Sequence, residues 1–176
     1  ADEDALIQCL TAQREQATTV DHLYLLGDVF DGYLEYDRLV PKGQVRFLGL
    51  LARWADDGIP ITYLIGNHDP WHRDYFEQEI GVRVTESVDT RYEGRRLHLE
   101  HGDAVGSTHG LYSALRPWLR HPVPVWLYRS LLPADVGLGL ARWVSEAVRE
   151  READPVLVAA LDTYARRLLA GPTDLV

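Results

Sequence analysis

Three short segments hold the residues best suited to chemistry: Gly27-Asp28-Val29-Phe30-Asp31, Gly66-Asn67-His68-Asp69 and His101-Gly102-Asp103. Each follows an apolar run, so each reads as a loop at the carboxyl end of a strand, where ligands gather in open α/β sheets. Aspartate supplies two oxygens and can bridge two cations. Asparagine offers a neutral carbonyl oxygen and histidine a borderline nitrogen. Such a mixed set suits Mn, Fe, Zn or Ni rather than Ca, which takes many oxygens. Asp28, Asn67 and His101 are therefore candidate metal ligands. For Asp28 and Asn67 the competing reading is turn stabilisation, a common use of both residue types. Asp31, Asp69 and Asp103 are expected behind the ligands, orienting them. His22, His72, His98 and His121 read as ordinary surface or core histidines, and His109 as a candidate substrate contact.

The elements that must position these loops follow from hydrophobic periodicity. Residues 3–16 read as a helix through Leu6, Ile7 and Leu10. A β-branched start and a glycine stop make 19–26 a buried strand. Residues 44–54 form an amphipathic helix closed by Asp56-Asp57-Gly58. A strand is expected at 59–65 and a short helix at 71–80, with Gly81 as its C-terminal cap. Strands at 82–84, 88–92 and 95–100 read as a small antiparallel meander turning at Glu93-Gly94. The order predicts an α/β sheet with an added antiparallel part. From residue 111 the composition shifts. Residues 111–151 hold Trp118, Trp126 and Trp143 and six arginines against three carboxylates. Pro117, Pro122, Pro124 and Pro133 should break this segment into short helices, and 155–169 reads as a final helix.

With 176 residues the chain is expected to form one domain. Its net charge of −9 argues against binding nucleic acid, which draws on basic patches. No uncharged apolar run approaches the ~18–20 residues that span a bilayer. One cysteine, Cys9, excludes an internal disulfide framework and a cysteine-based metal site, and fits a reducing compartment. No signal-peptide pattern is visible. The chain has no methionine, opens directly in a helical pattern and stops at Asp174-Leu175-Val176, which reads as the start of a strand. Both ends are expected to be cuts within a longer protein.

In their order, each after an apolar strand, Gly-Asp-x-x-Asp, Gly-Asn-His-Asp and His-Gly-Asp resemble the middle motifs of calcineurin-like metallophosphoesterases. Tyr24-Leu25-Leu26-Gly27-Asp28-Val29-Phe30-Asp31, Val40-Pro41-Lys42-Gly43, Asp74-Tyr75-Phe76 and the run at 132–141 are similar to the UDP-2,3-diacylglucosamine diphosphatase branch. The resemblance implies a β-sandwich flanked by helices, with a core at 1–110 and 152–176 and a helical cap at 111–151. It implies two divalent cations, manganese, with Asp28 bridging both and Asn67 and His101 each holding one. His68 would meet the phosphate or aid the leaving group, and activated water would attack phosphorus in line. The family's Asp-x-His and Gly-His-x-His motifs fall outside residues 1–176, so this chain is expected to hold no ion or one.

The implied reaction is hydrolysis of the pyrophosphate bond of UDP-2,3-diacylglucosamine in lipid A synthesis, giving UMP and 2,3-diacylglucosamine 1-phosphate. The implied setting is the cytoplasm, peripheral to the inner membrane, with a lipid-linked nucleotide sugar as partner. The cap's inner face is expected from Leu115, Trp118, Leu119, Trp126, Leu127, Leu131 and Trp143, with Arg129 and the other arginines at its rim. Trp118, Trp126, Arg129 and Trp143 are then candidate substrate contacts. Two other readings stand beside this one: a metallophosphoesterase acting on another phosphodiester or pyrophosphate, and a metal-free binding module on the same fold.

Overall fold

The computed structural model describes residues 3–17, 19–102, 118 and 121–149. Asp103, His109, Leu115, Leu119 and the elements expected at 155–169 and 174–176 lie outside them. The first helix, α1, runs Glu3–Gln16, and the first strand, β1, is Leu23–Leu25. Helix α2, Val45–Asp56, begins one residue later than its pattern suggests, because Gln44 takes a left-handed conformation at φ 53°. Its buried face is Phe47, Leu48, Leu51 and Trp54, spaced as one helical stripe. The free Phe47 N–H at its start is capped from α1, by the Glu3 carboxylate at 3.0 Å.

Strand β2, Ile61–Leu64, is buried along its whole length and pairs parallel with β1, Leu23 opposite Ile61. Strand β3, Arg83–Thr85, pairs parallel with the other edge of β2, Thr62 opposite Arg83. The expected meander is thus corrected: its first strand belongs to the main sheet. The segment between β2 and β3 is long enough for a crossover, which a parallel pair needs. Only β4, Ser87–Tyr92, and β5, Arg95–Glu100, form the antiparallel part. Their turn residues Glu93 and Gly94 both have positive φ, 48° and 80°, as a two-residue hairpin turn demands. The chain thus combines helices and sheets as an α/β protein, in the class expected.

The helix expected at 71–80 is also corrected. It shrinks to one π-wound turn, α3, Phe76–Ile80, closed by Gly81 at φ 77°. Upstream the Glu35 carboxylate, 1% exposed, accepts from the backbone N–H groups of Arg73, Asp74 and Tyr75 at 2.9–3.0 Å. Those donors serve a distant side chain, and Trp71 instead bridges to Leu34. Between the sheet, α2 and α3 lies an aromatic core of Phe30, Tyr33, Phe47, Tyr63 and Phe76.

Helices α4, Pro122–Leu131, and α5, Ala134–Arg149, form the described part of the expected cap. Pro133 separates them, but Pro122 and Pro124 break nothing. They occupy the first turn of α4, where a missing N–H leaves no bond unmade. His121 caps that turn, its Nδ1 accepting from Val123 N at 3.2 Å. Both helices dock on the loops after β1 and β2. Tyr128 packs on Trp71 at 5.2 Å between ring centroids. A Cβ on Gly32 would lie 3.0 Å from the Arg142 backbone.

One core histidine departs from the ordinary. His72 lies between Tyr33, Tyr63 and Phe76, and neither ring nitrogen has a hydrogen-bond partner. Burial, then the nearby Arg129 charge, push its pKa down to about 3. Unfolded histidine titrates near ~6.5. Between those values the unfolded chain binds the extra proton. The contribution is complete above pH ~6.5 and is lost progressively as pH falls toward ~3. His72→Phe keeps the ring and removes two unpaired nitrogens, for a gain of about 1 kcal/mol at pH 7. Thermal melts from pH 7 to 4 should show a raised midpoint and a shallower acid loss than the wild type. Parallel curves for the two proteins would refute this.

Candidate active site

Two glycines let the three loops touch. Gly27 sits at φ 83°, and a Cβ there would lie 2.7 Å from His101 Nδ1 and 2.8 Å from Gly66 N. A Cβ on Gly66 would strike the Asp28 carboxylate and approach Asp28 N to 2.5 Å. The chain then turns through Asp28, itself left-handed at φ 54°. Aspartate tolerates that conformation better than most residues, and its use here aims the carboxylate back across the loop ends.

The result brings together the three candidate ligands, Asp28, Asn67 and His101, with His68 beside them. Asp28 Oδ1 accepts from His68 N–H at 2.8 Å, and Asp28 Oδ2 lies 3.1 Å from His101 Nε2. Asn67 Oδ1 lies 2.9 Å from the same nitrogen. On the far side of that ring, Nδ1 donates to the Leu26 carbonyl at 2.7 Å. That bond makes Nδ1 a donor and turns Nε2 toward two oxygens that can only accept. Three polar atoms from three loops thus converge on one point, an arrangement that calls for a positive charge there, a proton on Nε2 or a bound cation. Nitrogen, amide oxygen and carboxylate oxygen are the donor set of a divalent transition metal, so the residues fit such an ion. Among the described residues no three His, Cys, Asp or Glu side chains form a metal-holding group. The third donor is the amide of Asn67.

Burial pushes the Asp28 pKa up. Bonds from the His101 side chain and the His68 backbone, with the charges of both histidines, outweigh it and hold the carboxyl below its usual range. Asp28 is therefore an anion at any mild pH. His68 is buried, its Nε2 4.0 Å from Asp28 Oδ2 and its Nδ1 3.9 Å from Asp31 Oδ1. One imidazole thus lies between two carboxylates at the edge of the cluster.

Asp69 is fully buried and orients the second loop from beneath. It accepts from Gly66 N at 2.9 Å, Phe30 N at 3.3 Å and the Tyr63 hydroxyl. Burial raises its pKa, partly offset by these bonds. Burial and the Asp69 charge raise that of Tyr63, so the proton stays on the phenol. Tyr63 and Glu35 escaped sequence reading. Tyr63 looks like one more apolar strand residue, and Glu35 like a loop acid.

Of the candidate substrate contacts, Trp118, Trp126, Arg129 and Trp143 are among the described residues. Trp118, Trp126 and Trp143 are 67%, 64% and 65% exposed, and Leu127 and Leu131 are exposed as well. The apolar side chains expected on the cap's inner face meet solvent, and Tyr128 and Gly137 take the packed positions on the loops. Arg129, expected at the rim, is half-buried and donates from Nη2 to the Trp71 carbonyl at 2.9 Å, tying α4 to the loop that carries His68.

A sequence model of the calcineurin-like phosphoesterase family matches residues 2–168. The UDP-2,3-diacylglucosamine hydrolase of Porphyromonas gingivalis is 35% identical over 125 residues, covering 70% of this chain and 47% of that protein. The enzyme of the same name from Pseudomonas aeruginosa is 33% identical over 66% of this chain and 49% of its own length. That of Edwardsiella ictaluri is 30% identical over 66% and 45%. The chain spans about half the length of the curated relatives it matches.

Proposed function

The chain belongs to the calcineurin-like phosphoesterase family, and from that premise we propose that it hydrolyses the pyrophosphate bond of UDP-2,3-diacylglucosamine to UMP and 2,3-diacylglucosamine 1-phosphate. The observation that carries the reading is the convergence of Asp28 Oδ2, Asn67 Oδ1 and His101 Nε2 on one point, with His68 beside them. The names of the relatives supply the substrate.

Asp28, Asn67 and His101 would hold a divalent cation, manganese in this proposal. Such ions supply Lewis-acid polarisation of phosphoryl oxygens and a lowered water pKa. The chain's own work is positional. The Leu26 carbonyl holds the His101 ring with Nε2 facing the site. Asp69 fixes the turn that presents Asn67 and His68. His68, between Asp28 and Asp31, can carry a proton at Nε2 for the departing phosphate oxygen. Asp31 sets the ring's orientation.

The apolar surface supports a lipid-linked substrate and peripheral contact with the inner membrane on its cytoplasmic side. Trp118, Val123, Trp126, Leu127, Leu131, Val136, Leu140 and Trp143 are all exposed, and exposed apolar groups concentrated in this way mark interaction surfaces. Among the described residues no helix is long and apolar enough to cross a membrane.

The test is substrate truncation in the intact, metal-loaded protein. Each acyl methylene buried is worth about 0.8 kcal/mol, so KM should rise several-fold as chains are shortened while kcat changes little. A lipid-free nucleotide diphosphate cleaved as efficiently as the diacylated one would defeat the lipid assignment and leave a phosphoesterase of other specificity.

A further inference from the structure

A second cavity lies between the 36–39 loop and α4. Its volume is about 550 Å³, and Arg38, Arg73 and Arg129 line it in part. Arg129 is half-buried, its Nη2 donating to the Trp71 carbonyl, and no carboxylate pairs with it among the described residues. A half-buried guanidinium without a carboxylate partner calls for an anion.

Charge points the same way. Three guanidinium groups line the cavity against one carboxylate, Asp37, which pairs with Arg73. Burial, then the Arg73 charge, hold the Arg129 guanidinium below its usual range, so the two cations do feel one another. Glu35 acts in the opposite sense, but its oxygens are already committed to three backbone N–H groups. A cavity rich in arginine, in a chain of net charge −9, is a local feature and not a reflection of composition.

A phosphoryl group meets this need. Its oxygens accept from guanidinium donors, and its charge offsets the arginine excess. Leu39 and Trp126, also in the lining and both largely exposed, offer an apolar wall to whatever carries the phosphate. We propose that this cavity is a phosphate-binding site separate from the Asp28–Asn67–His101 cluster, with Arg38, Arg73 and Arg129 as its donors. It shares Trp126 and Arg129 with the candidate substrate contacts, but no residue of the cluster lines it and its test reads binding alone. The phosphate is either a soluble ester or anion, or the headgroup of a lipid.

Calorimetric titration of the intact protein, without added metal, distinguishes these sources. The probes are inorganic phosphate, glucosamine 1-phosphate and vesicles of phosphatidate in phosphatidylcholine, with pure phosphatidylcholine vesicles as reference. At least one phosphate probe should bind the wild type. The double variant Arg38→Gln, Arg73→Gln should weaken it about tenfold or more, the loss of one to two charge-assisted bonds. Arg129→Lys should weaken it less, and Asp28→Ala should bind as the wild type does. Binding of the soluble probes identifies a free phosphate, and binding of phosphatidate vesicles alone identifies a headgroup. The proposal is overturned if no phosphate probe binds, if the double variant binds within twofold of wild type, if neutral vesicles bind equally, or if Asp28→Ala abolishes binding. Should the double variant fail to fold by circular dichroism, Arg38→Gln decides alone, since that side chain is exposed. A loss of about threefold supports the site, and unchanged affinity rejects it.

Discussion

Replacing Asp28 with alanine should abolish phosphoester hydrolysis in the intact protein, lowering kcat/KM by about 10³-fold or more. Two of the site's interactions end on this one carboxylate: Oδ1 holds the His68 backbone, and Oδ2 faces His101 Nε2. Removing it leaves Asn67 and His101 without the anion that offsets a cation's charge, which is worth several kcal/mol at a phosphoryl centre. Each ~1.4 kcal/mol is a decade in rate. Asp28→Asn separates the two roles. It can still accept from His68 N–H and so keep the loop in place, but it lacks the charge. Both variants should therefore be inactive, whereas only the alanine should also loosen the loop in hydrogen exchange at His68. Steady-state rates within a factor of ten of wild type in either variant would contradict the assignment. Manganese titrated calorimetrically into both gives a second readout that does not depend on turnover.

The legibility of this site in the sequence has a physical basis. Asp28, Asn67, His68 and His101 are legible because strand ends announce themselves by an apolar run and a glycine, and because these residue types are costly to place there without use. The packing of the loops on one another is not legible: it depends on Gly27 and Gly66 meeting each other's backbone across 39 positions. Glu35 is hidden for a related reason. An acid in a polar stretch reads as solvated, and only the fold reveals three N–H groups waiting for it. The π winding of α3 is likewise recorded by no periodicity. The 82–84 strand has the right type but the wrong neighbours, since alternation does not distinguish a parallel partner from an antiparallel one. On α4 and α5 the apolar positions are legible, but the contacts that dock the helices are not, since a tyrosine and a glycine, Tyr128 and Gly137, make them.

Gly66→Ala should destroy the site while the same substitution at Gly49 strengthens the protein, a contrast that separates backbone approach from glycine's conformational freedom. Gly66 does not have positive φ, so alanine could adopt its backbone conformation without strain. The obstacle is steric. The new methyl would overlap the Asp28 carboxylate and lie 2.5 Å from Asp28 N and 2.8 Å from Asp28 Cγ. Neither is the free end of a long side chain: Asp28 Oδ1 is held by His68 N–H, and its backbone sits in the left-handed region. The loops must separate, which strains the Gly66 N–H bond to Asp69 and moves Asn67 away from His101. Overpacking of this kind costs about 1–3 kcal/mol, and a displacement near 1 Å at reacting groups lowers rates about 10²-fold. At Gly49, in the exposed part of α2, nothing lies within 4 Å of the added methyl and φ is ordinary. There alanine should add about 0.5–1 kcal/mol of stability through helix propensity. Thermal melts and turnover of the two variants, measured side by side, check both halves. A Gly66→Ala protein with wild-type stability and turnover would mean that the first two loops are not locked together at this glycine.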